Sequence, residues 1–217
     1  MLTLIKREIQ DHIAYFLGAA ILTAILICLT VFGAYKGAYK IVYQYDHEDA
    51  VAYFGLSLPV IMMLMIGFSG MGISQMYTDR ARKISAFLSL LPVSRNQILL
   101  AKIVTGILAI LTIVLPLVIT SMAMTYLFAP PIPVYSGMIY DIFTVIFLLG
   151  FACYCLGLMT GWTTSKIHPV TVCLVLTFIL TSLIIVKGLG PCTKGILISI
   201  IVACLIRTWQ KFITTSL

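Results

Sequence analysis

The stretch TDRARKISAFLSLLPVSRNQILLAK, residues 78–102, organises the fold of this chain. It is the longest polar interruption in a sequence that otherwise consists of apolar segments joined by short loops. It carries one acid, Asp79, against five basic residues, which are Arg80, Arg82, Lys83, Arg95 and Lys102. Membrane insertion retains short loops rich in Lys and Arg on the cytoplasmic side. The stretch therefore predicts a cytoplasmic loop between two membrane spans.

A short amphipathic helix is predicted inside this loop. Apolar residues recur there at helical spacing, at Ile84, Phe87, Leu88 and Leu91. Pro92 ends that turn, and Ser94 can cap the helix that follows. The pattern indicates a helix lying across the membrane surface, followed by a sharp re-entry into the membrane.

The composition of the whole chain indicates a polytopic membrane protein. Of its 217 residues, 61% are hydrophobic and 10% are charged, whereas soluble domains carry about 25% charged residues. No polar stretch exceeds roughly 25 residues, which is below the 50 or so that a separate domain needs. We expect an all-α membrane protein with residues 1–217 in a single transmembrane domain.

Six spans are predicted from the apolar runs, because a hydrocarbon core about 30 Å thick requires about 20 helical residues. They are residues 13–34, 51–76, 98–128, 140–162, 170–186 and 189–206. The third is expected to break near Pro116, and residues 36–50 to form an external loop. Residues 1–11 have apolar and charged side chains on opposite sides, which predicts an N-terminal interfacial helix.

The distribution of basic residues predicts the orientation. Ten of the 14 Lys and Arg residues lie in segments assigned to the inside. The outer four are Lys36, Lys40, Lys187 and Lys194. This bias predicts a multi-pass protein of the cell inner (plasma) membrane with both termini cytoplasmic. The net charge of +7 is then explained by orientation and lipid contact, and no nucleic-acid partner is expected.

The central stretch resembles the cytoplasmic loop of ABC-2 type permeases, the membrane subunits of one group of ATP-driven exporters. The resemblance consists of an acidic-basic pair, a short apolar helix, a Leu-Pro-x-Ser/Thr-Arg signature and a later basic residue. The matching positions are Asp79, Arg80, Leu91, Pro92, Val93, Ser94, Arg95 and Lys102. The chain departs from the family pattern at Lys83, where Gly is usual, and at Ala86, where Glu is usual.

The resemblance implies that the loop forms a coupling helix that docks on a separate ATP-hydrolysing subunit. The residues implied in coupling are Asp79, Arg80, Phe87, Leu91, Pro92, Ser94 and Arg95. It also implies a homodimer or heterodimer of permeases, with ATP and Mg on the partner subunit. Small-residue faces that include Gly33, Gly37, Gly157 and Gly161 are candidates for close helix contact between copies.

No catalytic, cofactor or metal site is expected in the chain itself. The sequence has no G-x-x-x-x-G-K-S/T motif for binding ATP phosphates and no H-E-x-x-H motif. Its six cysteines show no C-x-x-C spacing. We therefore expect a permease without an ATPase site of its own. The centres of the six predicted spans are uncharged, and a path without charges cannot compensate the desolvation of an ion. The expected substrate is therefore hydrophobic or amphipathic, such as a lipid, drug or peptide.

Two alternatives remain open at this point. The chain's length, without a large outer domain, also resembles the haem-exporter-like or metal-related branch of these permeases. A membrane assembly factor that transports nothing is the second alternative. An intramembrane enzyme is disfavoured, because no catalytic Ser/His pair or paired intramembrane Asp is present.

Overall fold

The computed structural model describes residues 2–43, 47–81, 95–128, 133–161, 167–187 and 190–214. Within these ranges the chain is all-helical, which confirms the predicted fold class. Seven described helices follow one another: α1 (Leu2–Asp11), α2 (Ile13–Tyr43), α3 (His47–Ala81), α4 (Arg95–Phe128), α5 (Pro133–Thr160), α6 (Ile167–Lys187) and α7 (Pro191–Thr214). The predicted coupling helix at residues 84–91 lies outside the described residues.

Helix α5 is the centre of the bundle. It packs against α3, α4, α6 and α7, and its contact with α3 is the most extensive in the described chain. Ala152, Cys153, Tyr154, Cys155 and Leu158 on this helix are fully buried. Because α5 is apolar all round, surrounding helices have to cover it.

Glycines bring α3 and α5 into close contact. A Cβ on Gly157 would lie 2.2 Å from the Ser69 carbonyl oxygen, and one on Gly72 would lie 2.6 Å from the Tyr154 carbonyl oxygen. A Cβ on Gly161 would lie 2.8 Å from Met76 Cβ. Gly157 and Gly161 thus form the expected packing face. Their partner is α3 of the same chain, so the expectation that they pair with a second copy is wrong.

Buried hydroxyl groups are satisfied within their own helices. Thr105, Thr160, Thr177 and Thr208 each donate to the carbonyl oxygen four residues earlier, at 2.7–2.9 Å. This bond lets a polar side chain enter an apolar interior without leaving an unpaired donor.

Three described helices are long and apolar enough to cross a membrane: Asn96–Ala123, Tyr140–Thr160 and Pro191–Phe212. A fourth counts if the bent pair Ile5–Asp11 and Ile13–Leu29 is one span. The outward faces of these and other helices are apolar, as at Leu17, Ile21 and Phe178. Apolar surface of this extent is unusual on a soluble monomer and is typical of contact with lipid. Six spans remain a prediction.

The first helix lies across the direction of the second. Ile5–Asp11 and Ile13–Leu29 meet at 71°, with the break at His12. A helix that lies on the membrane surface must bend sharply to enter a span. The observed angle is therefore compatible with the predicted interfacial position of α1.

Several predicted boundaries are wrong. Residues 36–50 were expected as a loop, but α2 continues through Tyr43 and α3 begins at His47. Pro116 does not break α4, which is continuous from Arg95 to Phe128. Neighbouring helices and local hydroxyl bonds tolerate such a proline in a membrane segment, and Thr120 donates to the Pro116 carbonyl oxygen.

The end of the last helix also differs from the prediction. The sixth span was expected to end at residue 206, but α7 extends to Thr214 and includes Arg207 and Lys211. This end of α7 is held by packing, because Thr208 is buried and Phe212 packs against the core. Lys211 in the last turn also complements the helix dipole.

We expect Gly157→Leu to lower the free energy of unfolding by about 3 kcal/mol, because the new side chain would force α3 and α5 apart. Gly137→Leu, on the same helix, is the matched control, since a Cβ there meets nothing within 4 Å. Thermal unfolding of the detergent-solubilised protein, followed by size-exclusion chromatography, measures both. Equal losses in the two variants would contradict the glycine contact.

Candidate functional site

Four helices contribute polar side chains to one buried site. Glu8 comes from α1, Gln75 from α3, Lys102 from α4 and Tyr154 from α5. We call these four residues the polar cluster. Gln75, Lys102 and Tyr154 are fully buried, and the Glu8 side chain is 15% exposed.

Lys102 is the charged centre of the polar cluster. Its Nζ lies 2.8 Å from Glu8 Oε1 and 3.4 Å from the Gln75 carbonyl oxygen. An ammonium group withdrawn from water costs several kcal/mol unless a counter-charge and hydrogen-bond acceptors replace the water. Glu8, which lies 94 positions before Lys102 in the chain, supplies that counter-charge. The pair therefore fastens α1 to α4.

Tyr154 joins α5 to this site. Its hydroxyl oxygen lies 2.7 Å from the Lys102 carbonyl oxygen and 2.6 Å from Gln75 Oε1. Its ring covers Gly106, where a Cβ would lie 2.3 Å from the ring. Gly106 is thus needed for the phenol to reach the backbone of Lys102, one helical turn earlier.

The amide of Gln75 completes the network. A phenol has one proton and can donate to only one of its two neighbouring oxygens. Gln75 Nε2 is buried and has no hydrogen-bond partner within the described ranges. If the amide is turned so that Nε2 faces the phenol oxygen, Nε2 gains an acceptor and the Tyr154 proton serves the Lys102 carbonyl group. In this arrangement both Gln75 Nε2 and the Tyr154 hydroxyl have an acceptor.

His12 lies beside the charged pair. Its Nε2 is 3.7 Å from Glu8 Oε2, and the residue is 5% exposed. Its ring meets Tyr15 edge to face, with 6.0 Å between the ring centroids. His12 therefore packs the corner between α1 and α2 against the carboxylate that holds Lys102.

A second ion pair lies far from the polar cluster. Lys194 Nζ is 2.6 Å from Asp141 Oδ1, which joins α7 to α5. Asp141 and Tyr154 are separated by about 20 Å along α5 at 1.5 Å per residue. The two ion pairs are therefore well separated along the length of α5.

Lys102 and Asp141 differ in burial. The Asp141 side chain is 50% exposed, whereas Lys102 is buried within the candidate span Asn96–Ala123, six residues after its first residue. An ionisable residue within a span is by default a functional candidate.

The predicted coupling residues flank the polar cluster in the chain. Asp79 and Arg80 belong to the last turn of α3, and Arg95 is the first residue of α4. The other predicted coupling residues, Phe87, Leu91, Pro92 and Ser94, lie outside the described residues. Their proposed contacts with an ATPase remain predictions.

Sequence reasoning found only Lys102 of the polar cluster, as a basic residue after the loop signature. A lysine and a glutamine next to long apolar runs are a signal for a buried polar contact. Nothing in the local sequence identifies Glu8 or Tyr154 as their partners, because the contacts join residues 52–94 positions apart.

Among the described residues, no group of three or more His, Cys, Asp or Glu side chains could hold a metal ion. Comparisons with protein families, with curated proteins and with solved structures found no match.

We expect Glu8→Gln to destabilise the protein by about 3–5 kcal/mol, because it leaves the Lys102 charge buried without a counter-charge. Lys102→Met should cost less, since the Glu8 carboxylate, at 15% exposure, still reaches solvent. The double variant should lose less than the sum of the two single losses. Chemical unfolding of the four proteins in detergent forms the double-mutant cycle, and additive losses would contradict the pairing.

Proposed function

We propose that this chain is the membrane subunit of an ATP-driven exporter of the ABC-2 type, powered by a separate P-loop ATPase. The loop resemblance at residues 78–102 motivates the proposal. The observation that carries it is the position of the polar cluster, which joins the two helices on either side of that loop to each other and to α1.

The polar cluster lies close to both ends of the loop. Lys102 is about 10 Å along α4 from its first residue, Arg95, and Gln75 is about 9 Å from the end of α3 at Ala81. Glu8 adds α1 and Tyr154 adds α5. A displacement applied to the loop would thus reach four helices through one set of contacts, as rigid-body coupling requires.

The cargo in this proposal is hydrophobic or amphipathic. The described helices present apolar outer faces, and the buried charge of Lys102 is already paired with Glu8. A transport path lined by such apolar faces, with no unpaired charge, offers little to replace the water that hydrates an ion. A lipid, a drug or an apolar peptide fits it better.

The working assembly is a dimer of permeases, of one or two kinds of chain, above two ATPase subunits that hold ATP and Mg. The proposal places it in the inner (plasma) membrane with both termini in the cytoplasm. The loop, α1 and the ends of α3 and α4 would then face the ATPase.

We expect a P-loop ATPase to copurify with the tagged full-length chain from native membranes. Phe87→Asp with Leu91→Asp should reduce its recovery at least about tenfold, because apolar anchors dominate such interfaces. Phe87→Leu with Leu91→Met is the matched control and should retain it. Undiminished recovery with the Asp variant, when membrane insertion is intact, would contradict docking through the loop.

A second experiment separates docking from coupling. Glu8→Gln should leave the ATPase bound but remove most of the change in ATP hydrolysis that the permease causes in reconstituted complexes. Lys194→Gln is the control, because it breaks a more exposed ion pair that is distant from the loop. If both variants keep full coupling, the polar cluster does not transmit movement.

A further inference from the structure

An apolar groove of about 130 Å³ lies between α2, α3 and α4. Tyr15, Gly18, Ala19 and Leu22 line it from α2. Leu64, Gly67, Phe68 and Met71 line it from α3, and Ala109 and Ile113 from α4. The groove borders neither the ion pair of Lys102 nor that of Lys194, so the candidate site does not include it.

The lining of the groove favours hydrocarbon over water. Nine of its ten lining residues have no side-chain nitrogen or oxygen, the exception being Tyr15. A cavity holds ordered water only where polar groups can hydrogen-bond it, and apolar cavities stay dry. A narrow apolar ligand suits this space.

Two glycines leave space in the groove, because they have no side chains to fill it. A Cβ added at Gly18 or at Gly67 would meet nothing within 4 Å. These glycines therefore do not serve close helix contact, unlike Gly72 and Gly157. Gly67 is exposed, so the groove communicates with the surroundings of the helices.

With α1 at the membrane surface, as predicted, the groove lies at the level of the lipid acyl chains. It begins at Tyr15, in the first turn of α2 beside α1, and extends about 10 Å along the helix to Leu22. Its α4 side lies within the span Asn96–Ala123. A chain that enters at the level of α1 would place its headgroup at the interface and its methylenes in the groove.

The size of the groove argues against a second protein chain. A stable interface buries at least about 1,000 Å² with complementary shape, and ten residues around a narrow space do not provide it. A flexible hydrocarbon chain, in contrast, is present at high concentration at this depth of a bilayer.

We propose that this groove is a binding site for one acyl chain of a bilayer phospholipid. The bound chain fills the gap between α2 and the α3–α4 pair and gives the lining side chains the van der Waals contacts that an empty space denies them. The site does not depend on the proposed export function, because it needs only the bilayer.

The test uses the full chain in nanodiscs made with phosphatidylcholine that carries a photoreactive diazirine on one acyl chain. Adducts are mapped by mass spectrometry. Labelling of the groove peptides should exceed that of the exposed apolar face of α6, around Val175 and Phe178, by about fivefold, which corresponds to a preference of about 1 kcal/mol for the groove. Equal labelling of both regions would overturn the proposal, since it would mean ordinary annular lipid.

Two variants make the test specific. Gly67→Leu should fill the groove and reduce its labelling about fivefold. Gly195→Leu, at an exposed glycine whose Cβ also meets nothing within 4 Å, should leave the labelling unchanged. Circular dichroism and size-exclusion chromatography confirm that both variants fold. Labelling of the groove that survives Gly67→Leu would overturn the proposal.

A second experiment places the photoreactive group on the protein instead of on the lipid and identifies the molecule that occupies the groove. A photoreactive amino acid that replaces Gly18 should form an adduct with phospholipid in the same nanodiscs. A covalent dimer of this chain, or an adduct with a copurified cargo and none with phospholipid, would overturn the assignment.

Discussion

The buried charge of Lys102 is the constraint on which much of this structure depends. An ammonium group inside an apolar span requires a counter-charge, and Glu8 supplies it at 2.8 Å. To bring Glu8 there, α1 has to turn by 71° at His12 and pack against α4. A single electrostatic requirement thus fixes the position of an amphipathic helix that, at ten residues, is too short to be stable alone.

The contact between α3 and α5 places the rest of the polar cluster. Gly72 and Gly157 allow the two backbones to approach closely, and the same stripe of α3 continues to Gln75 while that of α5 includes Tyr154. The phenol then reaches the backbone of Lys102 on α4 across Gly106. Packing of small residues and polar bonding are therefore parts of one arrangement, in which the close approach of the helices positions the hydrogen bonds.

Much of the fold could be predicted from the sequence because hydropathy and helical period are local properties. The all-α class and the packing of Gly157 and Gly161 follow from such patterns, although their partner proved to be α3. The loop expected at residues 36–50 is wrong in its first half, because aromatic and apolar residues continue α2 as far as Tyr43, and in its last part, where α3 already begins at His47. The Glu8–Lys102 pair could not be predicted, since its members are 94 positions apart and only the tertiary structure brings them together.

The central claim is that Glu8 and Lys102 hold α1 against the bundle. Hydrogen–deuterium exchange of the full chain in nanodiscs, read by mass spectrometry, tests it directly. In the native chain the amides of α1 should exchange slowly, and Lys102→Met should speed their exchange by at least tenfold, about the effect of 1.4 kcal/mol, while the amides of α7 keep their rates. Unchanged protection of α1 in Lys102→Met would contradict the claim.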